Sequence, residues 1–319
     1  MELIKLAPSF KDYLWGGTRL KETYNKSSDM NIIAESWELS THKDGPSLIV
    51  SGEHKGKTLD QLVNEMPKEF LGENALKFPY FPLLTKFIDA KQNLSIQVHP
   101  DDEYGLRVES EFGKTEVWYI LDCEKDSYLY FGVNKDLTKQ EMRDHLNNGT
   151  FMDVMDKVPV KKGDVAFIEA GTIHAITEGI VILEIQQNSN STYRVYDFDR
   201  VDVNGNKREL HIDKAIDVSI LNKLDNAVKQ VEYTTCDGYK VGNVAKCNYF
   251  NVNVYEVTST VEVNVDNTSF VAFTIIEGAG TIKSNNDSFD FIKGDTFFAP
   301  ANLGNVTISG TLKFVTAQV

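Results

Sequence analysis

Residues 115–133 read TEVWYILDCEKDSYLYFGV. Two runs rich in Val, Ile, Leu, Tyr and Phe flank a polar CEKD, which is the pattern of two strands joined by a tight turn. The same texture extends on both sides. SWELS (36–40), PSLIVSG (46–52), NLSIQVHP (93–100), DVAFIEAG (164–171) and GIVILEIQQ (179–187) are short apolar runs bounded by Gly, Asp and Asn. Many short strands at even spacing predict a mainly β protein of sandwich or barrel type. Three short helices are expected among them. One starts near Leu59 with Thr58 as N-cap and Leu59, Leu62, Val63 and Met66 on one face. One starts at Thr138, where TKQE forms a capping box with Glu141. The third is DKAIDVSIL, from Asp213.

Beyond about Asn222 the strand-like text continues in VEYTTCDGYKV, YFNVNVYEV, SFVAFTIIEGAGTI and DTFFAPANLGNVTI, but none of the six histidines falls there. Residues 1–222 therefore read as a unit that can bind metal, and 223–319 as a second barrel-like unit without ligands. FTIIEGAGTIKS…FDFIKGDTFFAP in the second echoes EVWYILDCEKDSYLY…VPVKKGDVAFIEAG in the first, each with a K-G-D turn ahead of a strand. That echo points to an internal duplication.

With 319 residues, 41% hydrophobic and 25% charged, the chain has the make-up of a globular protein able to bury a sizeable core. A formal net charge of -14 repels phosphate backbones and argues against nucleic-acid binding. Any phosphorylated ligand then requires a local cationic cluster. Three widely spaced cysteines form neither a disulfide framework nor a CxxC knuckle, and no apolar run reaches membrane-spanning length. A cytoplasmic protein is expected, with no membrane partner and with the oligomeric state open.

Four side chains stand out as candidate metal ligands. In IQVHP, Gln97 and His99 are two apart and point to one face of a strand. Glu116 opens EVWYIL, with Lys114 and Trp118 on its face, and His174 follows a Gly turn in EAGTIHAI. Two imidazoles, a carboxylate and an amide suit zinc or another divalent first-row metal. Lys114 reads either as an acid/base group or as a phosphate-binding or ion-paired lysine. Arg194, placed in a polar loop just past a strand end, reads as an anion-binding group or a surface salt bridge. Glu184 faces away from Val181, Leu183 and Ile185, so it is either a functional carboxylate, as a base or a partner to Lys114, or an exposed one. Trp15 and Trp37 read as pocket walls or as core.

Several strings carry a resemblance. LLTKFIDAKQNLSIQVHPDD (83–102) followed by GKTEVWYIL (113–121), with YLWGG (13–17), IAESWELSTHKDGPS (33–47) and NSNSTYRVYDFDR (188–200), closely resembles the type I mannose-6-phosphate isomerase family, in its short bacterial form. The resemblance implies a double cupin fold of two jelly-roll barrels, one zinc ion per chain, a sugar-phosphate substrate, and interconversion of mannose 6-phosphate and fructose 6-phosphate through a cis-enediol. It places Gln97, His99, Glu116 and His174 on the family's zinc ligands and Arg194 on its active-site arginine. It places Lys114 on the lysine two before the ligand glutamate. The chain departs from longer members at Gly113, where they carry His, and at Asn190, where they carry Asp. A cupin oxygenase and a non-catalytic sugar-phosphate sensor are the competing readings; bound-metal analysis, oxygen uptake and a coupled isomerase assay separate them.

Overall fold

The structure is a computed structural model that describes residues 1–201, 204–225, 227–285 and 287–319. It is mainly β, with every named strand pairing antiparallel. Three sheets account for the architecture. A seven-stranded sheet runs, edge to edge, Val228–Gln230, Asp164–Ile168, Glu116–Cys123, Ile180–Gln187, Leu83–Ala90, Glu35–Leu39 and Ser9–Lys11. A five-stranded sheet runs Tyr193–Tyr196, Ile96–Val98, His174–Ile176, Tyr128–Val133 and Met155–Pro159. These two pack face to face: Trp118, Ile120, Ala166 and Ile182 of the first meet Leu129, Phe131 and Ile176 of the second in one apolar cluster.

Strict alternation explains why the central strands are buried throughout. In Glu116–Cys123, Trp118 and Ile120 point into that cluster, while Val117, Tyr119 and Leu121 point the other way into a second core. Ile180–Gln187 splits likewise, with Ile180 and Ile182 on one face and Val181, Leu183 and Ile185 on the other. The second core is shared with a ten-stranded sheet, which contributes Val252, Val254, Phe298 and Val315, with Phe270 just ahead of one of its strands. Each such fully buried large side chain contributes about 1.5–3 kcal/mol.

The ten-stranded sheet is dominated by two long strands, Val271–Lys283 and Gly304–Gln318. The second of these pairs Thr260–Val265 along its first half and Asn251–Val257 along its last, so the sheet bends over a core of Phe273, Ile275, Phe297 and Phe314. Together the three sheets make the double cupin fold. Sheet membership crosses residue 222 in both directions. Ile4–Ala7 and Leu48–Ile49 join the ten-stranded sheet, with Ile4 opposite Phe298, and Val228–Gln230 forms an edge of the seven-stranded one.

The two K-G-D turns share one geometry. Gly163 and Gly294 both have positive φ, at 88° and 96°. Asp164 and Asp295 each accept, through the side chain, from the backbone N–H three residues earlier, at 2.8 and 3.0 Å.

The expected helices form as Leu59–Glu65, Lys139–Asn147 and Ile212–Val218, the first two with complete capping boxes. Met66 is not in the first helix; it is its C-cap, because Pro67 begins another short helix directly after it. Arg19–Tyr24, Pro67–Phe70, Gly72–Ala75 and Asp102–Val108 are further helices that the apolar pattern did not signal, each being seven residues or fewer.

Candidate metal centre and active site

Register places the candidate ligands before any side chain is considered. On the five-stranded sheet His174 lies directly opposite Gln97, and Arg194 lies on the other side of Gln97. His99 follows that strand at once. On the facing sheet Glu116 opens its strand, opposite Gln186 and Ile168. The space between the sheets thus receives side chains from both.

His99, Glu116 and His174 are all fully buried, and their ligand atoms lie within 4.8 Å of one another. Each histidine sets its Nδ1 2.8 Å from a backbone carbonyl, His99 at Ser191 and His174 at Thr172. A carbonyl only accepts, so Nδ1 carries the proton and the Nε2 lone pair is left free. Both Nε2 atoms face Glu116, at 3.7 Å from Oε2 for His99 and 3.4 Å from Oε1 for His174. Gln97 Nε2 is 3.4 Å from His174 Nε2; exchanging the amide's two ends brings its oxygen there instead.

The electrostatics of the cluster suit a divalent cation. Neither oxygen of Glu116 has a hydrogen bond, although the residue is fully buried. Burial raises its carboxyl to about 7, aided by Glu184 and opposed by Lys114. Burial likewise pushes His174 down to about 4 and His99 well below its usual value, so both rings are neutral. Two neutral imidazoles and a buried carboxylate are a donor set that suits a divalent ion. The residues present fit such a group.

Lys114, also buried, sets Nζ 3.0 Å from Glu116 Oε2 and 3.2 Å from His99 Nε2. Glu184 lies on the same sheet face, but its ion pair is with Lys86, at 3.1 Å, not with Lys114. Its other oxygen accepts from Trp118 Nε1 at 2.9 Å. Burial works against the charged form of Glu184, yet Lys86 and Lys114 outweigh it and hold the carboxyl at about 2. Lys86 is buried too; burial opposes its charge, and Glu184 and Glu35 more than restore it. Lys86 and Glu35 were not singled out in the sequence. The available signal was one lysine inside the apolar strand Leu83–Ala90, which register sets directly across from Glu184.

Arg194 belongs to a strand, Tyr193–Tyr196, and not to a loop beyond one, because Tyr193 and Val195 alternate into the core. Its Nη1 donates to the Glu209 carbonyl at 2.9 Å, its buried Nε has no partner, and it makes no ion pair with any described residue. Burial and the neighbouring Arg208 both lower its pKa. Arg208 itself is paired with Asp197, as is Arg200.

A cavity of about 280 Å³ adjoins the cluster: Gln97 and Lys114, which contact the cluster, line it together with Trp118, Glu184, Arg194 and Arg208, whereas His99, Glu116 and His174 do not. Trp15 lines it, whereas Trp37 is fully buried and donates to Glu35.

Two family models match the chain: the catalytic domain of type I phosphomannose isomerase over residues 3–115 and the cupin domain of mannose-6-phosphate isomerase over residues 240–319. The mannose-6-phosphate isomerase ManA of Bacillus subtilis is 36% identical over 313 residues, covering 98% of this chain and 97% of that protein. The chain belongs to the type I mannose-6-phosphate isomerase family. Another member, from Streptococcus mutans, is 34% identical over 96% of this chain and 94% of its own. The crystal structure of the Bacillus subtilis mannose 6-phosphate isomerase matches with a TM-score of 0.93 at 35% identity, over the whole of both chains. A phosphomannose isomerase from Salmonella typhimurium, at 17% identity and a TM-score of 0.79, shares the fold. No helix among the described residues is long and apolar enough to cross a membrane.

Proposed function

We propose that the protein interconverts mannose 6-phosphate and fructose 6-phosphate, with one zinc ion held by Gln97, His99, Glu116 and His174. The observation that carries this reading is the convergence of a neutral, buried His–Glu–His cluster with the wall of a cavity that also presents Lys114, Glu184 and Arg194. When bound, the ion supplies Lewis acidity to the oxygens at C1 and C2, and needs no redox chemistry to do so.

The reaction takes the proton from C2 of the open-chain aldose while O1 gains one, giving a cis-enediol; O2 then loses its proton to become the carbonyl as C1 gains one. Of the two candidate side chains, Glu184 is weakened as a base, since Lys86 and Lys114 keep its carboxyl low against burial. We assign the transfer to Lys114, which lines the cavity and sets Nζ beside Glu116, acting from its neutral amine form. Glu184 orients Trp118 and balances the local charge. Arg194, a planar donor with an unpartnered Nε, binds anionic oxygen of the substrate. On this reading residues 1–222 carry the chemistry, and residues 223–319 form a unit without ligands. The free cysteines Cys123, Cys236 and Cys247 support a reducing compartment such as the cytoplasm.

The test is turnover of mannose 6-phosphate in an assay coupled to fructose 6-phosphate, run on zinc-loaded and chelator-stripped protein. Turnover that disappears on stripping and returns with metal is expected. No turnover with any divalent ion sinks the proposal.

A further inference from the structure

The short segment Gly113–Lys114–Thr115 delivers Lys114 to the cavity, and its three backbone N–H groups go to three different acceptors. Gly113 donates to Asp102 Oδ1 at 2.9 Å, Lys114 to the Pro100 carbonyl at 3.0 Å, and Thr115 to Gln187 Oε1 at 2.8 Å. Gln187 is buried, and its Nε2 donates to the same Asp102 Oδ1 at 2.9 Å. Asp102 thereby holds the residue before Lys114 directly and the residue after it through Gln187. No space is left for adjustment on the first side, where a Cβ on Gly113 would lie 2.4 Å from the Asp101 carbonyl carbon. The helix Asp102–Val108 is capped by the Asp101 side chain, so the Asp102 carboxylate is not occupied in capping.

The other oxygen, Asp102 Oδ2, accepts from the Tyr249 hydroxyl at 3.0 Å. Tyr249 sits in the turn between Tyr239–Lys246 and Asn251–Val257, in the ten-stranded sheet. A side chain from the part of the chain that lacks ligands thus reaches the support of Lys114.

We propose that Asp102 is a positioning residue for Lys114, and that the C-terminal unit takes part in the active site through Tyr249. The inference rests on the isomerase reading above, in which Lys114 moves the proton. Its physical basis is that a displacement of about 1 Å in a reacting group costs roughly 100-fold in rate, and that three hydrogen bonds converging on one carboxylate make a stiffer mount than any one of them.

The experiment compares Asp102→Ala, Asp102→Asn and Tyr249→Phe in the metal-loaded full chain, assayed at a temperature where circular dichroism shows all of them folded. Asp102→Ala is expected to keep its metal and a KM near the parent's while kcat falls about 10- to 100-fold. Asp102→Asn keeps a carbonyl oxygen for Gly113 and Gln187 and should recover kcat to within about threefold; Tyr249→Phe should lie between. A second readout does not need turnover: the rate at which an amine reagent labels Lys114, followed by peptide mass spectrometry, should rise in Asp102→Ala. An Asp102→Ala protein with kcat within twofold of the parent and unchanged labelling overturns the proposal. So does a loss of kcat in Ala and Asn variants alike that merely tracks a lowered Tm. A parent protein without isomerase turnover rejects the functional reading instead, and the labelling rates then still decide whether Asp102 holds Lys114.

Discussion

Replacing Lys86 by Met would leave Glu184 as a buried carboxylate without its cation. Both side chains are about 4% exposed and lie 3.1 Å apart, so water reaching them from the cavity replaces the lost partner only in part. In the intact protein Glu184 is held at about 2 against an ordinary 4.5. That depression is the joint work of Lys86 and Lys114 against burial, so the cost of losing Lys86 is set instead from the roughly 3–5 kcal/mol of removing one member of a buried pair. The sign follows from the depressed value. The contribution is fully present above the unfolded-state value of about 4.5 and is lost as pH falls through about 2. Urea unfolding of parent and Lys86→Met proteins at pH 7 should therefore show a gap of about 3 kcal/mol that narrows once the pH drops below about 4.5. Adding Glu184→Gln to Lys86→Met removes the stranded charge and should restore much of the loss. A gap under about 1 kcal/mol, or one of constant size from pH 7 to pH 3, would refute the reasoning, because it would mean Lys86 and Glu184 are not coupled in the fold.

His99→Ala should lose bound metal and isomerase turnover together while circular dichroism stays native, as read by elemental analysis of the dialysed protein; a variant that keeps one ion per chain removes His99 from the ligand set. Arg194→Ala should keep its metal and lose at least tenfold in kcat/KM, and unchanged kinetics would return Arg194 to a structural role.

Much of the fold was legible because strand alternation is a local signal. Trp118 and Tyr119 announce opposite faces in the sequence, and the structure gives them opposite cores. The candidate ligands Gln97, His99, Glu116 and His174 were legible as residue types with a strand context, and register then brought them together. What escaped was whatever depends on pairing between distant strands. Lys86 reads as an odd charge in an apolar run until Glu184 is placed across from it. Asp102 reads as the second of two acids after Pro100 until Gly113, Gln187 and Tyr249 all donate to it. Arg194 was set in a loop because NSNST ahead of it is polar, whereas the Tyr193 and Val195 side chains carry the strand on. Three of the missed helices have six residues or fewer, too short for an apolar period to show, and Asp102–Val108 buries only Gly105, so it has no apolar face to announce it.

The pairing of Ile4 with Phe298 has a consequence for how the molecule is made. The segment Ile4–Ala7 is synthesised about 290 residues ahead of its partner Thr296–Ala299. At about 5–20 residues per second that delay is roughly 15–60 s. During it the apolar Ile4 and Leu6 have no strand to close against on that edge, so this part of the sheet stays open until the partner strand has been made. A change to Ile4 or Leu6 therefore acts on a late step of assembly.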